Sequence, residues 1–253
     1  MTWLTLEGAV NARDLGGLPT VDGRTTRPGV LLRSDNLQDL TEKDIEVLRE
    51  HGLRTVLDLR TSAEVELIGP GPLRATDVTH LHLDLIPHGF EAREDDEDIV
   101  EKAIPDETAG DHAMDHYYFD YVAHAPNEIA TALRTIADPG SGAVLVHCAA
   151  GKDRTGVVCA LALSLVGVTR KAVVDDYVRT DERIAAVRER LLNTELYRDD
   201  QLKRTLDSLR LHGDNMERFL DRVDAAYGGV HGLAMSVGVD EETVAKLSRR
   251  LLG

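Results

Sequence analysis

The stretch from Ala143 to Val168 constrains this chain more than any other. It opens on Ala143-Val144-Leu145-Val146, a short continuous apolar run. Such a run reads as a strand buried on both faces of a sheet. A Gly-containing loop follows, His147-Cys148-Ala149-Ala150-Gly151-Lys152-Asp153-Arg154-Thr155-Gly156. Val157 to Val168 is then apolar nearly all round, interrupted by Ser164 and Gly167. A helix with no polar face has to lie in the centre of a domain. Buried strand, tight loop and buried helix in succession point to an α/β domain.

The preceding segments agree. Val30 to Arg33 is a short apolar run, and Arg54 to Leu59 reads as a buried strand. Val78 to Leu85 alternates as a half-buried strand would. Between them, Thr41/Asp44 and Thr61/Glu64 have capping-box spacing, with stops at Gly52 and Gly69-Pro70. Met114, Tyr117, Tyr118, Tyr121 and Val122 share a helical face, and Ile129, Leu133 and Ile136 begin another after Pro126. The last third reads as helical: Arg183 to Leu192, Met216 to Tyr227, and a final helix capped by Asp240. With no repeat and no long linker, residues 1–253 are expected to form one domain, a central mostly parallel sheet flanked by helices with a helical C-terminal section. Pro87 to Gly110 breaks the pattern with Glu91, Glu94, Asp95, Asp96, Glu97, Asp98 and Glu101. It reads either as a solvated loop or as a lid, an insertion bracketed at 87–125.

Composition removes whole classes. A formal charge of −16 argues against a general nucleic-acid binder, which needs a basic face. The longest apolar stretch is too short to span a bilayer, which takes roughly 20 residues, so no stable membrane insertion is expected. The N-terminus carries no signal-peptide pattern, and the expectation is a cytoplasmic protein, export by a route without a cleavable signal being left open. Two cysteines, Cys148 and Cys159, argue for reduced thiols rather than a disulfide framework.

The loop after the buried strand carries the chemistry. A strand–loop–helix of this kind aims successive backbone N–H groups at one spot, at the positive end of a helix dipole. Ala149, Ala150, Gly151, Lys152, Asp153 and Arg154 would wrap one phosphate group. Arg154 would close the ring with a bidentate contact that lysine could not copy. Cys148 would lie beneath the phosphorus as a thiolate, placed for in-line attack through a cysteinyl-phosphate. Thr155 could hydrogen-bond the sulfur, and His147 would orient the loop. A nucleotide P-loop fails here, because Val146 and Asp153 stand where Gly and Ser or Thr are needed. A zinc site lacks ligands at short spacing, and His80 and His82, alternate on one strand face, are read as non-metal residues.

The motif HCAAGKDRTG, with Asn11-Ala12-Arg13-Asp14-Leu15-Gly16-Gly17, resembles the bacterial tyrosine/serine phosphatase branch of the Cys-x5-Arg protein tyrosine phosphatase superfamily. Asp58-Leu59-Arg60 with Glu64, Asp176-Tyr177 and the Tyr227–Leu252 ending follow in that family's order. The resemblance implies a phosphatase-type α/β fold, no metal or other cofactor, and activity on phosphotyrosine, with a phosphorylated protein as substrate. Some relatives also accept phosphoserine, phosphothreonine or the headgroup of a phosphoinositide. A phosphate-binding module without turnover is the non-enzymatic alternative, against which the intact Cys148 and Arg154 pair speaks.

A departing oxygen needs a proton. The chain's single Trp is Trp3, so the Trp-Pro-Asp loop of eukaryotic-type enzymes is absent. Asp153 is the first candidate acid, Asp58 the second and Asp84 the third. Lys152 adds a second cation beside Arg154, as in phosphoinositide 3-phosphatases. Ala149 departs from their pattern, which has another lysine there. Arg13 and Asp14 are expected to pair with each other behind the site. Cys159 reads as a core residue, with a protective thiol as the alternative.

Overall fold

The computed structural model describes residues 1–86 and 113–252. Six strands form one sheet: β1 (Thr2–Trp3), β2 (Arg13–Asp14), β3 (Leu31–Ser34), β4 (Leu53–Asp58), β5 (Thr79–His82) and β6 (Ala143–His147). Their order across the sheet is β1-β2-β3-β6-β4-β5. The four strands from β3 to β5 in that order run parallel, and β1 and β2 are added antiparallel at one edge. β6 lies between β3 and β4 with every residue buried, which is why its sequence is a continuous apolar run rather than an alternating one.

Eleven helices accompany the sheet among the described residues. They are α1 (Glu42–Glu50), α2 (Ser62–Ile68), α3 (Ala113–His124), α4 (Pro126–Ala137), α5 (Asp153–Leu165) and α6 (Arg170–Arg179). Then follow α7 (Ile184–Asn193), α8 (Glu195–Lys203), α9 (Gly213–Tyr227), α10 (Val230–Ser236) and α11 (Glu241–Leu252). Both capping boxes form: Thr41 with Asp44 at α1, and Thr61 with Glu64 at α2. α5 is buried from Arg154 to Leu163. It packs under the sheet against α4, α6 and the aromatic face of α3, where Tyr118, Tyr121 and Val122 are buried. Asp240 caps α11 by accepting the Thr243 amide at 2.8 Å.

The acidic residues 91–101 lie outside the described residues, and of the bracketed 87–125 segment the described part is largely α3. Four parallel strands ending together gather Ser34, Asp58, His82 and His147 at one rim of the sheet. In open α/β sheets that carboxyl rim is where sites assemble.

Candidate active site

Cys148 follows the last residue of β6 and is 2% exposed. The loop after it is held from behind by its carbonyls. The Ala149 carbonyl accepts the Asn36 amide at 3.0 Å. The Asn11 side-chain amide donates to the carbonyls of Ala150 (3.0 Å) and Gly151 (3.2 Å). Arg33 donates through Nη2 to the Gly151 carbonyl at 2.7 Å. The Lys152 carbonyl accepts from Gly156 within α5. With four consecutive carbonyls already bonded, the amides of Ala149 to Arg154 are left without acceptors among the described residues. Gly151 makes the turn at φ +66°.

The clamps behind the loop are themselves fixed. Asp176, on α6, takes Arg13 Nε at 2.8 Å on one oxygen and Arg33 Nη1 at 2.6 Å on the other. Arg13 also donates to Asn11 Oδ1 at 2.6 Å, so one buried carboxylate orients both groups that touch the loop. Burial opposes ionisation of Asp176, but the two guanidinium groups beside it win and hold its carboxyl below the usual range.

Arg154 lies at the start of α5, 9% exposed, and its fork meets Glu64 bidentately at 2.5 and 3.1 Å. Glu64 is the N3 residue of the α2 capping box. Its carboxylate also accepts the Thr61 amide at 2.6 Å and the Tyr197 hydroxyl at 2.7 Å. Burial would raise the Glu64 pKa, but Arg154 and these donors pull it down to about 2. Arg154 in turn is held protonated well above the ordinary arginine range, Glu64 outweighing the cost of burial.

Asp153 opens α5 and lines the pocket with Cys148, Arg154 and Lys152. Its Oδ1 accepts the Tyr118 hydroxyl at 2.5 Å, and Lys152 Nζ stands 3.9 Å from Oδ2. Asp58 and Asp84 do not line this pocket. Asp58 is clasped by Arg60 at 2.5 Å and lies 3.6 Å from His147. Although burial disfavours its charge, His147 and Arg60 hold its carboxyl well below the usual range. Asp84 caps the start of α2 by accepting the Ser62 amide at 2.8 Å. Burial pushes the His147 pKa down to about 4, so the imidazole is neutral near pH 7. Its Nδ1 approaches the Cys148 carbonyl at 3.2 Å.

Two expectations need correction. Arg13 and Asp14 do not pair: neighbouring residues of a strand point to opposite faces. Arg13 goes to Asp176, while Asp14 accepts the amides of Gly16 (2.8 Å) and Gly29 (2.7 Å). The Thr155 hydroxyl is buried and makes no hydrogen bond among the described residues, so the contact to sulfur is not formed. His82 bonds the Arg60 carbonyl at 2.8 Å. Cys159 is buried in α5, and burial raises its thiol pKa to about 12.

Sequence reasoning did not single out Asn11, Arg33, Tyr118 or Tyr197 as site residues, and it met Glu64 and Asp176 only as cap or motif fragments. Ile184, Val187, Leu191 and Leu209 add an apolar wall to the pocket, with Arg188, Asp200, Gln201 and Arg204 beside it.

Residues 4–253 match the profile of a tyrosine phosphatase family. The triple specificity protein phosphatase PtpB of Mycobacterium tuberculosis is 30% identical over 277 aligned positions, covering 98% of this chain and 98% of its own. The tyrosine-protein phosphatase of Nostoc commune is 27% identical over 241 positions, covering 87% of this chain and 73% of its own.

Proposed function

As this chain belongs to the tyrosine phosphatase family, we propose that it is a cysteine-dependent phosphomonoesterase that acts on phosphotyrosine in proteins and needs no metal. The observation that carries this reading is the loop. Its carbonyls are tied to Asn36, Asn11 and Arg33, which leaves its amides free for a phosphoryl group, and Cys148 and Arg154 line the same pocket. Amides and guanidinium together supply the positive cradle that a transferring phosphoryl group requires.

In the first step Cys148 Sγ attacks phosphorus and the S–P bond forms as the P–O bond to the leaving group breaks. Asp153, protonated, gives its proton to the departing oxygen. The loop amides and Arg154 hold the three remaining phosphoryl oxygens. In the second step water attacks phosphorus, Asp153 takes a proton from it, and the S–P bond breaks to return the thiolate and free phosphate. Glu64 keeps the Arg154 fork in plane for the phosphoryl oxygens. The apolar wall of Ile184, Val187 and Leu191 suits an aromatic ring better than a short alkyl chain.

A second reading extends the substrates to phosphoserine, phosphothreonine or a phosphoinositide headgroup. Lys152 favours it, since it lines the pocket and adds a cation within reach of a further phosphate. One experiment addresses both. Phosphate release is measured in the presence of a chelator from a phosphotyrosine peptide, a phosphoserine peptide and a soluble phosphoinositide. The first reading expects the phosphotyrosine peptide to turn over fastest. No turnover of any substrate, or loss of activity to the chelator alone, would overturn the cysteine mechanism.

No helix among the described residues is long and apolar enough to cross a membrane.

A further inference from the structure

Asp153 ends a hydrogen-bonded chain that begins on another helix. On α9, Arg218 Nη2 donates to Asn215 Oδ1 at 2.6 Å. The Asn215 side chain bonds the hydroxyl of Tyr177 on α6. Tyr177 lies 2.7 Å from the hydroxyl of Tyr118 on α3, and Tyr118 reaches Asp153 Oδ1 at 2.5 Å. Tyr118, Tyr177 and Asn215 are all buried.

With Asp153 ionised, donor counting fixes the direction of this chain. An ionised carboxylate only accepts, and a phenol has one proton to give. Tyr118 spends its proton on Asp153, so its oxygen must accept from Tyr177. Tyr177 is then left to accept from Asn215. Burial holds both phenols protonated above the ordinary tyrosine range, so neither is itself a proton source for substrate. Hydrogen bonds aligned head to tail polarise one another, which strengthens the last of them.

We propose that Tyr118, backed by Tyr177, is a positioning residue for the phosphatase reaction: it occupies Oδ1 of Asp153 so that the transferable proton is carried on Oδ2. The inference rests on the reading of Asp153 as the general acid. Among the described residues, Lys152, Arg154, Cys148 and Tyr121 are further charged or titratable groups beside that carboxyl. Among the described residues Lys152 is the cation paired with Oδ2, and at 3.9 Å it is too far to fix the carboxyl plane. Among the described residues, Tyr118 therefore supplies the one short side-chain bond that does.

The ring of Tyr118 also packs edge-on against Tyr177 and Phe219. Tyr118→Phe keeps that packing and removes only the hydroxyl. The test compares wild type, Asp153→Asn, Tyr118→Phe and the double variant on p-nitrophenyl phosphate and on an alkyl phosphate. Both kcat and KM are measured, and thermal denaturation reports the fold. Tyr118→Phe is expected to lower kcat on the alkyl phosphate about tenfold, as for loss of one bond to a charged group. It should change p-nitrophenyl phosphate turnover far less and leave KM in place. On the Asp153→Asn background it should add nothing, the signature of two residues acting as one unit. Equal losses on both substrates, or a further loss on that background, would reduce Tyr118 to a packing residue. An Asp153→Asn variant without leaving-group dependence would instead remove the acid reading, and this inference with it. Should Tyr118→Phe not fold, Tyr177→Phe leaves Tyr118 in place but takes away its donor. The same leaving-group trend, smaller, is expected, and its absence would overturn the relay.

Discussion

Replacing Gly151 by alanine tests the cradle with a single methyl group. A Cβ built at this position would lie 2.3 Å from the Ser34 carbonyl oxygen and 2.6 Å from the Asp35 amide nitrogen. Ordinary contact begins near 3.4 Å, so loop and strand must part by about 1 Å, a displacement of the size that costs ~10²-fold when it misplaces a reacting group. Ser34 cannot give way easily, because it ends β3 and is paired with His147 of β6. The backbone at φ +66° adds roughly 1 kcal/mol of strain for a residue with a side chain. The loop amides must then move, and with them the positions of the phosphoryl oxygens. The expected result is a fall of about a hundredfold in kcat/KM on p-nitrophenyl phosphate, equivalent to ~2.7 kcal/mol. Vanadate affinity should weaken in parallel, and the melting temperature should drop only modestly. A variant within threefold of wild type in kcat/KM would refute the claim that these amides hold the phosphoryl group in a fixed geometry.

Four further outcomes are expected. Cys148→Ser should abolish turnover while keeping vanadate binding by equilibrium titration, since the amides and Arg154 remain; activity above a tenth of wild type would defeat the nucleophile assignment. Arg154→Lys should lose well over fivefold in kcat/KM despite its retained charge, because a point donor cannot replace a planar fork already aligned by Glu64. Glu64→Gln should lower both kcat and stability. Its folded pKa of about 2 lies below its unfolded value, so wild-type stability from this group is present above roughly pH 4.5 and lost as pH falls toward 2; urea melts in that window should show the variant with the flatter slope. His147, neutral in the fold with a pKa of about 4, makes the unfolded chain bind more protons below roughly pH 6.5, so stability should fall from there down to about pH 4. A His147→Asn variant whose acid melts keep the full wild-type slope would show the ring to be unimportant to it.

The elements that sequence reasoning placed well are those whose signal is local. β6 and α5 are apolar on all sides because they are buried on all sides, and Thr41/Asp44 and Thr61/Glu64 carry their caps within four residues. β1 and β2 have two residues each, too few for any periodicity to register. Within the site, Cys148 to Arg154 was legible because a strand–loop–helix cradle is contiguous in the chain. The groups behind it were not. Asn11 meets the loop across 139 positions and Arg33 across 118, and a buried arginine looks in sequence like an exposed one. Glu64 was readable as a helix cap, but its role as Arg154's partner depends on where α2 lands, 90 positions away. Tyr118 fits its hydrophobic stripe and Tyr177 stands in sequence only as the neighbour of Asp176, so neither hydroxyl carries a local signal.

The clamp on the catalytic loop also has a consequence for how the chain matures. Its parts are spread from Asn11 to Asp176, and the contacts of Arg13 and Arg33 with Asp176 close loops of 163 and 143 positions. Closures of that length are late events in folding, since their entropy is lost before any contact compensates it. A nascent chain that has emerged only through α5 already carries Cys148 and Arg154. It lacks the carboxylate that locks Arg13 and Arg33 in place, so the carbonyls of Ala150 and Gly151 have no fixed partners to turn toward. Cys148 is thus present well before the loop around it is locked, and turnover should appear only when α6 docks. In refolding, recovery of turnover should lag behind the burial of the α5 core by the time that this final docking takes.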